Sequence, residues 1–256
     1  MIFFIPFLYY YCTRLKSVAK LTSWVIIYLI PLACSVYLIS DDFHKIQVVL
    51  LIILCSQNLY EIGYIQNDAE TIKREENPTL RLDLSQLGFY EKNKKSIYFY
   101  RFVFSLFLTA ILYYHYACYY IIYLWAIIPV FLLYNSLRNR WNLVLHFILV
   151  FFRYCLPVFI ATENYKLSLL MIFCFPLLNL LERASEKRFS FYAYRKYLDG
   201  KLSSFRVTYY MLTTVVFVLL FFLESSRELR TIVIVLIFYS LYRSLLYLKE
   251  KISRSA

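Results

Sequence analysis

Long apolar runs, each about as long as a bilayer-spanning helix, recur along the whole of this chain. A helix crosses the hydrocarbon core of a membrane with about 20 apolar residues. Eight runs of that kind cover residues 21–39, 46–64, 96–115, 119–137, 142–162, 167–181, 207–223 and 230–248. Lipid allows only helices and closed barrels as spanning structures, and these runs have helical length. We therefore predict an all-α polytopic membrane protein with about eight transmembrane helices.

The composition excludes a soluble protein. Hydrophobic residues make up 61% of the 256 residues, whereas a soluble domain is about 45–50% apolar. The net charge of +12 would suggest nucleic-acid binding in a polar chain. In a chain this apolar, lysine and arginine act first as topology signals. We expect membrane lipids as the surroundings and no nucleic-acid partner.

The connections between the runs alternate in charge. One side of the membrane receives most of the lysines and arginines, and the other side receives only Lys45, Lys166, Arg227 and Arg230. The positive-inside rule places the basic side in the cytoplasm. Both termini then lie in the cytoplasm, which requires an even number of spans. We expect the membrane to be a bacterial inner membrane.

Two connections are long and charged, and each follows the second span of a four-span half. They cover residues 65–95 and 182–206 of a single domain that we expect to include residues 1–256. Two four-helix halves would bring both connections to the same membrane side. Residues 1–19 begin with an apolar stretch that is too short to span, so we expect this segment to lie in the membrane interface.

Polar side chains, most of them carboxylates, form a stripe along the second span and its extension. Intervals of seven, three and four residues put the members of the stripe on one helical face: Glu61, Asp68, Thr71 and Glu75. Ionisable groups at membrane depth are costly and usually mark function. Asp68 and Glu75 lie two turns apart, which suits Mg²⁺ bound by one or two carboxylates and substrate phosphates. The alternative is a solvated helix end with surface ion pairs.

A second acidic pair lies at the end of the sixth span. Glu182 and Glu186 are four residues apart, on one face of the predicted helix. Alone, this pair also fits a charged, capped helix end. Because it takes the same place in the second half that the first stripe takes in the first, we predict that both clusters border one cavity mouth on the cytoplasmic side.

Basic residues inside the spans are a separate signal. Arg153 lies near the middle of the fifth span, and His146 precedes it by seven residues on the same face. An arginine at that depth is costly. We expect it to face the cavity, where it would pair with Glu61 or contact a substrate phosphate. Arg101 lies close to the end of the third span, where its side chain can snorkel to the surface without a role.

The first acidic stripe resembles the first aspartate-rich motif of the UbiA superfamily of intramembrane prenyltransferases. That family motif runs Asn-Asp-x-x-Asp-x-x-x-Asp. Here Gly63-x-x-x-Asn67-Asp68 is followed by Thr71 at the third position and Glu75 at the last. The resemblance implies a UbiA-like membrane fold and a Mg²⁺-dependent transferase that releases diphosphate.

The second acidic pair resembles the other motif of the same superfamily. Glu182-x-x-x-Glu186 looks like a glutamate version of Asp-x-x-x-Asp. The resemblance implies that Asp68, Glu75, Glu182 and Glu186 are the catalytic residues. It implies that Mg²⁺ is held by Asp68, Glu75 and Glu182.

Further runs are similar to one branch of this superfamily, which moves phosphoribose from phosphoribosyl diphosphate to a polyprenyl phosphate. Asn77-Pro78-Thr79-Leu80-Arg81 is similar to a His-Pro-Thr-x-Arg run of that branch, and Tyr192-x-x-x-Lys196 to its Tyr-x-x-x-Lys element. The branch implies a role in cell-surface glycan synthesis. The substrate-binding residues would be Asn67, Arg74, Arg81, Arg153, Arg188, Tyr192 and Lys196.

Two alternatives stay open. In the first, the reaction is prenyl transfer. The lipid is then a prenyl diphosphate and not a polyprenyl phosphate, and the acceptor is an aromatic or other small molecule and not a phosphorylated co-substrate. A non-catalytic membrane protein or a transporter is the other alternative. A transporter places broken helices and polar groups near the midplane. In this chain the polar groups concentrate at one membrane side, which favours the enzyme.

Overall fold

The structure is a computed structural model that describes residues 2–74, 78–137, 139–189 and 191–255. These residues contain no β-strand, and eight helices are long and apolar enough to cross a membrane. The helices are α1 (Val18–Ser40), α2 (Phe43–Arg74), α3 (Leu84–Tyr114), α4 (Tyr119–Ser136), α5 (Trp141–Thr162), α6 (Tyr165–Ala184), α7 (Leu202–Leu223) and α8 (Arg227–Ser253). The predicted all-α polytopic membrane fold is confirmed.

The connection expected at residues 65–95 is shorter than predicted. Residues 65–74 continue α2 and residues 84–95 begin α3, so both helices extend beyond their apolar runs. The start of α3 is fixed by a capping box, in which the Asp83 carboxylate accepts the Gln86 N–H at 2.8 Å and the Gln86 side chain accepts the Asp83 N–H at 3.1 Å. Hydrogen bonds from the Ser85 hydroxyl and the Gln86 N–H hold the pKa of Asp83 below its ordinary value. The second connection contains a 3-10 turn, Lys187–Phe189, and a short α-helix, Tyr192–Leu198.

Helix α2 is the central helix of the bundle. In its most apolar stretch 72% of the residues are buried, whereas the corresponding share in the other seven helices lies between 17% and 39%. It packs against α1, α3, α4 and α5. The two predicted four-helix halves therefore share one interior. The polar side chains that α2 buries there are enclosed by protein: Ser56, Gln57, Asn58, Glu61 and Asp68.

Helix α6 is broken near its middle. A short 3-10 turn interrupts it, and the α-helix begins again at Pro176, which has no N–H to donate. Hydroxyl groups from α7 satisfy carbonyls that the break frees: Tyr209 donates to Phe173 and Tyr210 donates to Cys174, each at 2.8 Å. The break is therefore a stable feature of the bundle.

The N-terminal segment, residues 2–15, packs inside the protein. Phe3 is 1% exposed, and Tyr9 is fully buried against α2 and α3. The placement of residues 1–19 in the membrane interface stays a prediction. The rings are buried in protein because charged groups of α2 and α3 bind the segment through its backbone.

A buried ion pair makes that attachment. The side chains of Glu61 on α2 and Arg101 on α3 are both fully buried, and Arg101 Nη1 lies 2.5 Å from Glu61 Oε2. Glu61 also accepts the backbone N–H groups of Phe7 and Tyr10, while Arg101 donates to the carbonyl of Phe3 at 2.8 Å. Three segments of the chain are thus joined at one charged centre.

This pair corrects two expectations. Arg101 does not snorkel, because its guanidinium is used entirely within the protein, including a 2.6 Å hydrogen bond to the Asn58 side chain. Glu61 does not pair with Arg153, because α3 lies against the Glu61 face of α2 and supplies the closer cation.

Helices α2 and α4 are in close contact at Gly63. A Cβ atom added there would lie 2.2 Å from the ring of Phe131 on α4. We expect Gly63→Ala to lower the free energy of unfolding by about 1–3 kcal/mol, because the packed interior leaves the ring little room to move. Thermal unfolding of the purified protein in detergent measures this loss.

Gly88 provides the matched control for that substitution. It lies in α3, and a Cβ atom there would meet nothing within 4 Å. Gly88→Ala should raise stability by about 0.5–1 kcal/mol, because alanine is the better helix residue. Equal melting temperatures for Gly63→Ala and the parent protein would contradict the close packing of α2 on α4.

Candidate functional site

A cavity of about 690 Å³ opens among the helix ends that carry the basic connections. Its wall combines the N-terminal segment, the first half of α1, the middle of α5, the last turns of α2, α4 and α6, and the connections before α3 and after α6. Aromatic side chains form much of its inner part: Tyr28, Tyr60, Phe131, Tyr154 and Phe175. The cavity is therefore polar and charged near the connections and aromatic within the bundle.

The charge on the cavity wall is strongly positive. Six basic side chains line it: Arg14, Lys20, Arg81, Arg153, Arg183 and Arg188. No Asp or Glu among the described residues lines it. Walls of one sign in a low-dielectric surrounding concentrate the field inside a cleft. The arrangement attracts anions.

Arg153 on α5 is held by aromatic rings. Its guanidinium carbon lies 4.7 Å, 5.0 Å and 5.2 Å from the ring centroids of Tyr10, Tyr28 and Tyr60. These distances are those of cation–π contacts. Its Nη1 donates a long hydrogen bond of 3.4 Å to the Tyr64 hydroxyl. Its Nε and Nη2 atoms are buried and have no hydrogen-bond partner within the described structure. Arg153 thus keeps two donors for another group.

Asp68 lies directly behind the cavity wall and is fully buried. Arg14 Nη1 lies 2.5 Å from its Oδ2 and Arg14 Nη2 lies 3.0 Å from its Oδ1. Arg81 Nη1 lies 3.1 Å from Oδ1, and the Tyr9 hydroxyl donates to Oδ2 at 2.8 Å. The adjacent Asn67 amide adds a contact of 3.3 Å. The carboxylate therefore positions two guanidinium groups that line the cavity.

The N-terminal groups on Asp68 keep their protons. Burial first, and then the charge of Asp68, raise the pKa of Tyr9 well above its ordinary range, so its hydroxyl stays a donor. Burial alone would lower the pKa of Arg14, but its hydrogen bond and charge attraction to Asp68 raise that pKa above the usual value. Tyr9 and Arg14 therefore both remain hydrogen-bond donors to Asp68.

We expect Asp68→Asn to lower the free energy of unfolding by about 3 kcal/mol, because it removes the charge that pairs with the partly buried guanidinium groups of Arg14 and Arg81. Thermal unfolding in detergent measures the loss. Asp199→Asn makes the same chemical change at an exposed position and should leave stability unchanged. A stable Asp68→Asn protein would show that Arg14 and Arg81 do not depend on this carboxylate.

The second acidic cluster also meets the cavity through its basic partners. Glu186 accepts from Arg183 at 3.1 Å and from Arg188 at 2.9 Å, and both arginines line the cavity. Glu182 forms a two-point pair with Arg206 of α7, at 2.6 Å and 2.8 Å. The clusters of both halves thus reach one cavity, but cations and not carboxylates face its interior.

Amide and imidazole groups lie between the arginines. His146 on α5 hydrogen-bonds to the Asn179 side chain of α6 at 2.7 Å, and both line the cavity. His146 and Arg153, which the sequence places on one helical face, therefore line the same cavity. Arg183 extends this polar wall by donating from Nη2 to the Tyr134 hydroxyl at 2.5 Å.

The predicted site residues divide into four groups. Asn67, Arg81, Arg153 and Arg188 line the cavity. Asp68, Glu182 and Glu186 are ion-paired outside it. Arg74, Tyr192 and Lys196 are exposed and do not line it. Glu75 lies outside the described residues, as does Asn77 of the Asn-Pro-Thr-Leu-Arg run.

Sequence reasoning missed Arg14 and Lys20 as site residues and treated them as topology charges. Tyr10, Tyr28 and Tyr60 also gave no separate signal, because aromatic residues are common throughout the chain. The N-terminal segment folds inward and brings Arg14 to Asp68, a contact between residues 54 positions apart. A short motif cannot contain such a pair.

The described carboxylates do not fit a magnesium site. Mg²⁺ needs free carboxylate oxygens in an octahedral set, whereas both oxygens of Asp68 accept from guanidinium groups, and both oxygens of Glu182 accept from Arg206. The described residues contain no group of three or more His, Cys, Asp or Glu side chains that could hold a metal ion. Metal binding through Glu75 stays a prediction.

Comparison with protein-family models, with curated proteins and with solved structures found no match to this chain.

Proposed function

We propose that this chain is an integral-membrane transferase of the UbiA type that acts on a polyprenyl lipid. Its reaction is the transfer of phosphoribose from phosphoribosyl diphosphate to polyprenyl phosphate, in the service of cell-surface glycan synthesis. The observation that carries this proposal is the cavity of about 690 Å³ with six basic side chains on its wall and aromatic rings within. A phosphorylated head and an isoprenoid chain match those two parts.

The number of cations supports two phosphorylated substrates. Phosphoribosyl diphosphate carries a phosphate and a diphosphate, and polyprenyl phosphate adds another phosphate. Guanidinium groups bind such oxygens through paired N–H donors. The side chains of Asn67, Asn179 and His146 on the same wall supply neutral hydrogen-bonding groups for ribose hydroxyls.

The transfer requires one displacement. An ionised phosphate oxygen of the polyprenyl phosphate attacks the anomeric carbon of the donor. The bond from that carbon to the diphosphate oxygen breaks, and its electron pair leaves with the diphosphate. No proton has to move at the reacting carbon. The basic residues on the wall stabilise the charge that develops on the leaving group, which is the largest contribution that a fixed polar site makes to such a reaction.

The expected membrane placement agrees with this chemistry. The positive-inside rule puts the basic connections, and with them the cavity mouth, in the cytoplasm, where phosphoribosyl diphosphate is soluble. A bacterial inner membrane would supply the polyprenyl phosphate. Mg²⁺ remains an expectation from the motif resemblance, and any role for it would depend on Glu75.

A substrate assay tests the proposal. Purified protein should convert radiolabelled phosphoribosyl diphosphate and polyprenyl phosphate into a labelled lipid and release diphosphate. Consumption of a prenyl diphosphate alone, with transfer to an aromatic or other small acceptor, would support the other branch of the superfamily. Turnover of neither substrate pair would contradict a transferase and favour a non-catalytic membrane protein.

A further inference from the structure

We propose that the cavity binds the phosphate groups of its substrate directly, through Arg153 and neighbouring N–H and O–H donors, without a bridging metal ion. This inference rests on the proposed function insofar as that function supplies a phosphorylated substrate. The inference goes beyond the proposed function, because the motif resemblance predicts a magnesium bridge between carboxylates and phosphate. Three observations carry the inference.

The first observation is a group of unused donors on the cavity wall. Within the described structure, five buried polar atoms of cavity-lining side chains have no hydrogen-bond partner: Trp24 Nε1, Tyr60 Oη, Arg153 Nε, Arg153 Nη2 and Arg183 Nε. Each of these atoms can donate, and four of them can only donate. A buried donor without a partner is unfavourable by about 1–3 kcal/mol. A ligand rich in acceptor oxygens removes that penalty, and a phosphate group has only acceptors when it is ionised.

The second observation is the arrangement of these donors around Arg153. The Trp24 ring lies next to Tyr28, with ring centroids 5.0 Å apart, and Tyr28 lies under the Arg153 guanidinium. Tyr60 contacts the same guanidinium through its ring. No described carboxylate forms an ion pair with Arg153. Three tyrosine rings fix the orientation of its planar guanidinium group, and the charge of that group stays available to a ligand. A guanidinium held in this way can bind phosphate at two points.

The third observation concerns the carboxylates. A metal bridge requires Asp68 or Glu182 to exchange guanidinium partners for Mg²⁺. Asp68 would lose contacts to Arg14 and Arg81 in a fully buried position, and Glu182 would lose both contacts to Arg206. These arginines already supply the positive charge that a metal ion would bring. Direct binding of phosphate leaves the ion pairs of Asp68 and Glu182 in place.

Calorimetric titration of the full-length protein in detergent with inorganic diphosphate tests the inference. We expect the same affinity in the presence of a chelator and in the presence of Mg²⁺. Arg153→Met should weaken binding by about tenfold or more, because it removes a charged two-point contact. Tyr60→Phe and Trp24→Phe keep the ring contacts, remove one donor each, and should each weaken binding severalfold. They test the site even where Arg153→Met fails to fold.

One control variant and one test of the metal alternative accompany the titration. The control, Arg227→Met, removes the same charge at an exposed ion pair with Asp41, outside the cavity, and should bind diphosphate like the parent. The test, Glu75→Gln, removes the motif carboxylate to which the resemblance assigns a metal ion, and direct recognition predicts that the affinity for diphosphate does not change.

The outcomes separate this inference from the proposed function. Binding that requires Mg²⁺, or that Glu75→Gln abolishes, would overturn direct recognition and leave a phosphorylated substrate in place. Unchanged affinity in both Arg153→Met and Tyr60→Phe would also overturn it. Absence of diphosphate binding under both conditions would contradict the inference and the proposed function together.

Discussion

Replacement of Arg101 by methionine is expected to lower the free energy of unfolding by about 3–5 kcal/mol, the range for breaking a buried ion pair from one side. The substitution leaves the Glu61 carboxylate fully buried with only the N–H groups of Phe7 and Tyr10 as partners. It also removes the donors that bind the Phe3 and Ile5 carbonyls. Both effects release the N-terminal segment.

Thermal unfolding in detergent and limited proteolysis of the N-terminal segment measure this prediction. The double variant Arg101→Met with Glu61→Gln should be more stable than Arg101→Met alone, because no uncompensated charge remains buried. Arg227→Met provides the matched control: its pair with Asp41 is more than half exposed, and exposed pairs contribute about 0–1 kcal/mol. Equal stability of Arg101→Met and Arg227→Met would contradict the role assigned to the buried pair.

The consequence of that pair extends to the site. Glu61 accepts the backbone N–H of Tyr10, whose ring contacts the Arg153 guanidinium, and Arg14 follows one helical turn later. We therefore expect loss of the N-terminal attachment to reduce substrate binding as well as stability. Arg101 acts on the site only through the segment that it holds.

Replacement of Arg153 by lysine should lower kcat/KM for phosphoribosyl transfer by about a hundredfold or more, the usual effect of removing one donor that stabilises developing charge. Lysine keeps the positive charge but not the planar fork, and it stacks less well on tyrosine rings. Steady-state turnover of the two proposed substrates measures the effect. The folded state of the variant is checked by its melting temperature.

Arg227→Lys is the control for that substitution, because it makes the same change at an exposed position. Its turnover should equal that of the parent. Full activity in Arg153→Lys would show that the site needs only a charge at this position. Loss of activity together with a large fall in melting temperature would assign Arg153 a structural role in the tyrosine cluster.

The membrane fold could be predicted from the sequence because each span is a local property. Twenty apolar residues carry enough hydrophobic free energy to specify a helix without knowledge of its neighbours. The same reasoning underestimated α2 and α3, whose polar ends remain helical because α3 begins with the Asp83 capping box and α2 lies inside the bundle.

The candidate site could be predicted only in part. Sequence spacing correctly grouped Arg153 with His146 on one wall, since both lie on α5. It could not show that Arg14 would reach Asp68, or that Arg101 and not Arg153 would reach Glu61, because these contacts depend on how separate helices pack. The acidic motifs predicted that carboxylates line the site, whereas among the described residues their arginine partners line the cavity.

Direct recognition of phosphate can be observed in a structure of the protein with bound inorganic diphosphate, determined by electron cryo-microscopy in the presence of Mg²⁺. We predict diphosphate density inside the cavity, with phosphate oxygens within hydrogen-bond distance of Arg153 Nε and Nη2 and with Asp68 still paired to Arg14 and Arg81. Diphosphate joined to Asp68 or Glu182 through a metal ion, with their guanidinium partners displaced, would contradict it. Density outside this cavity would contradict it as well.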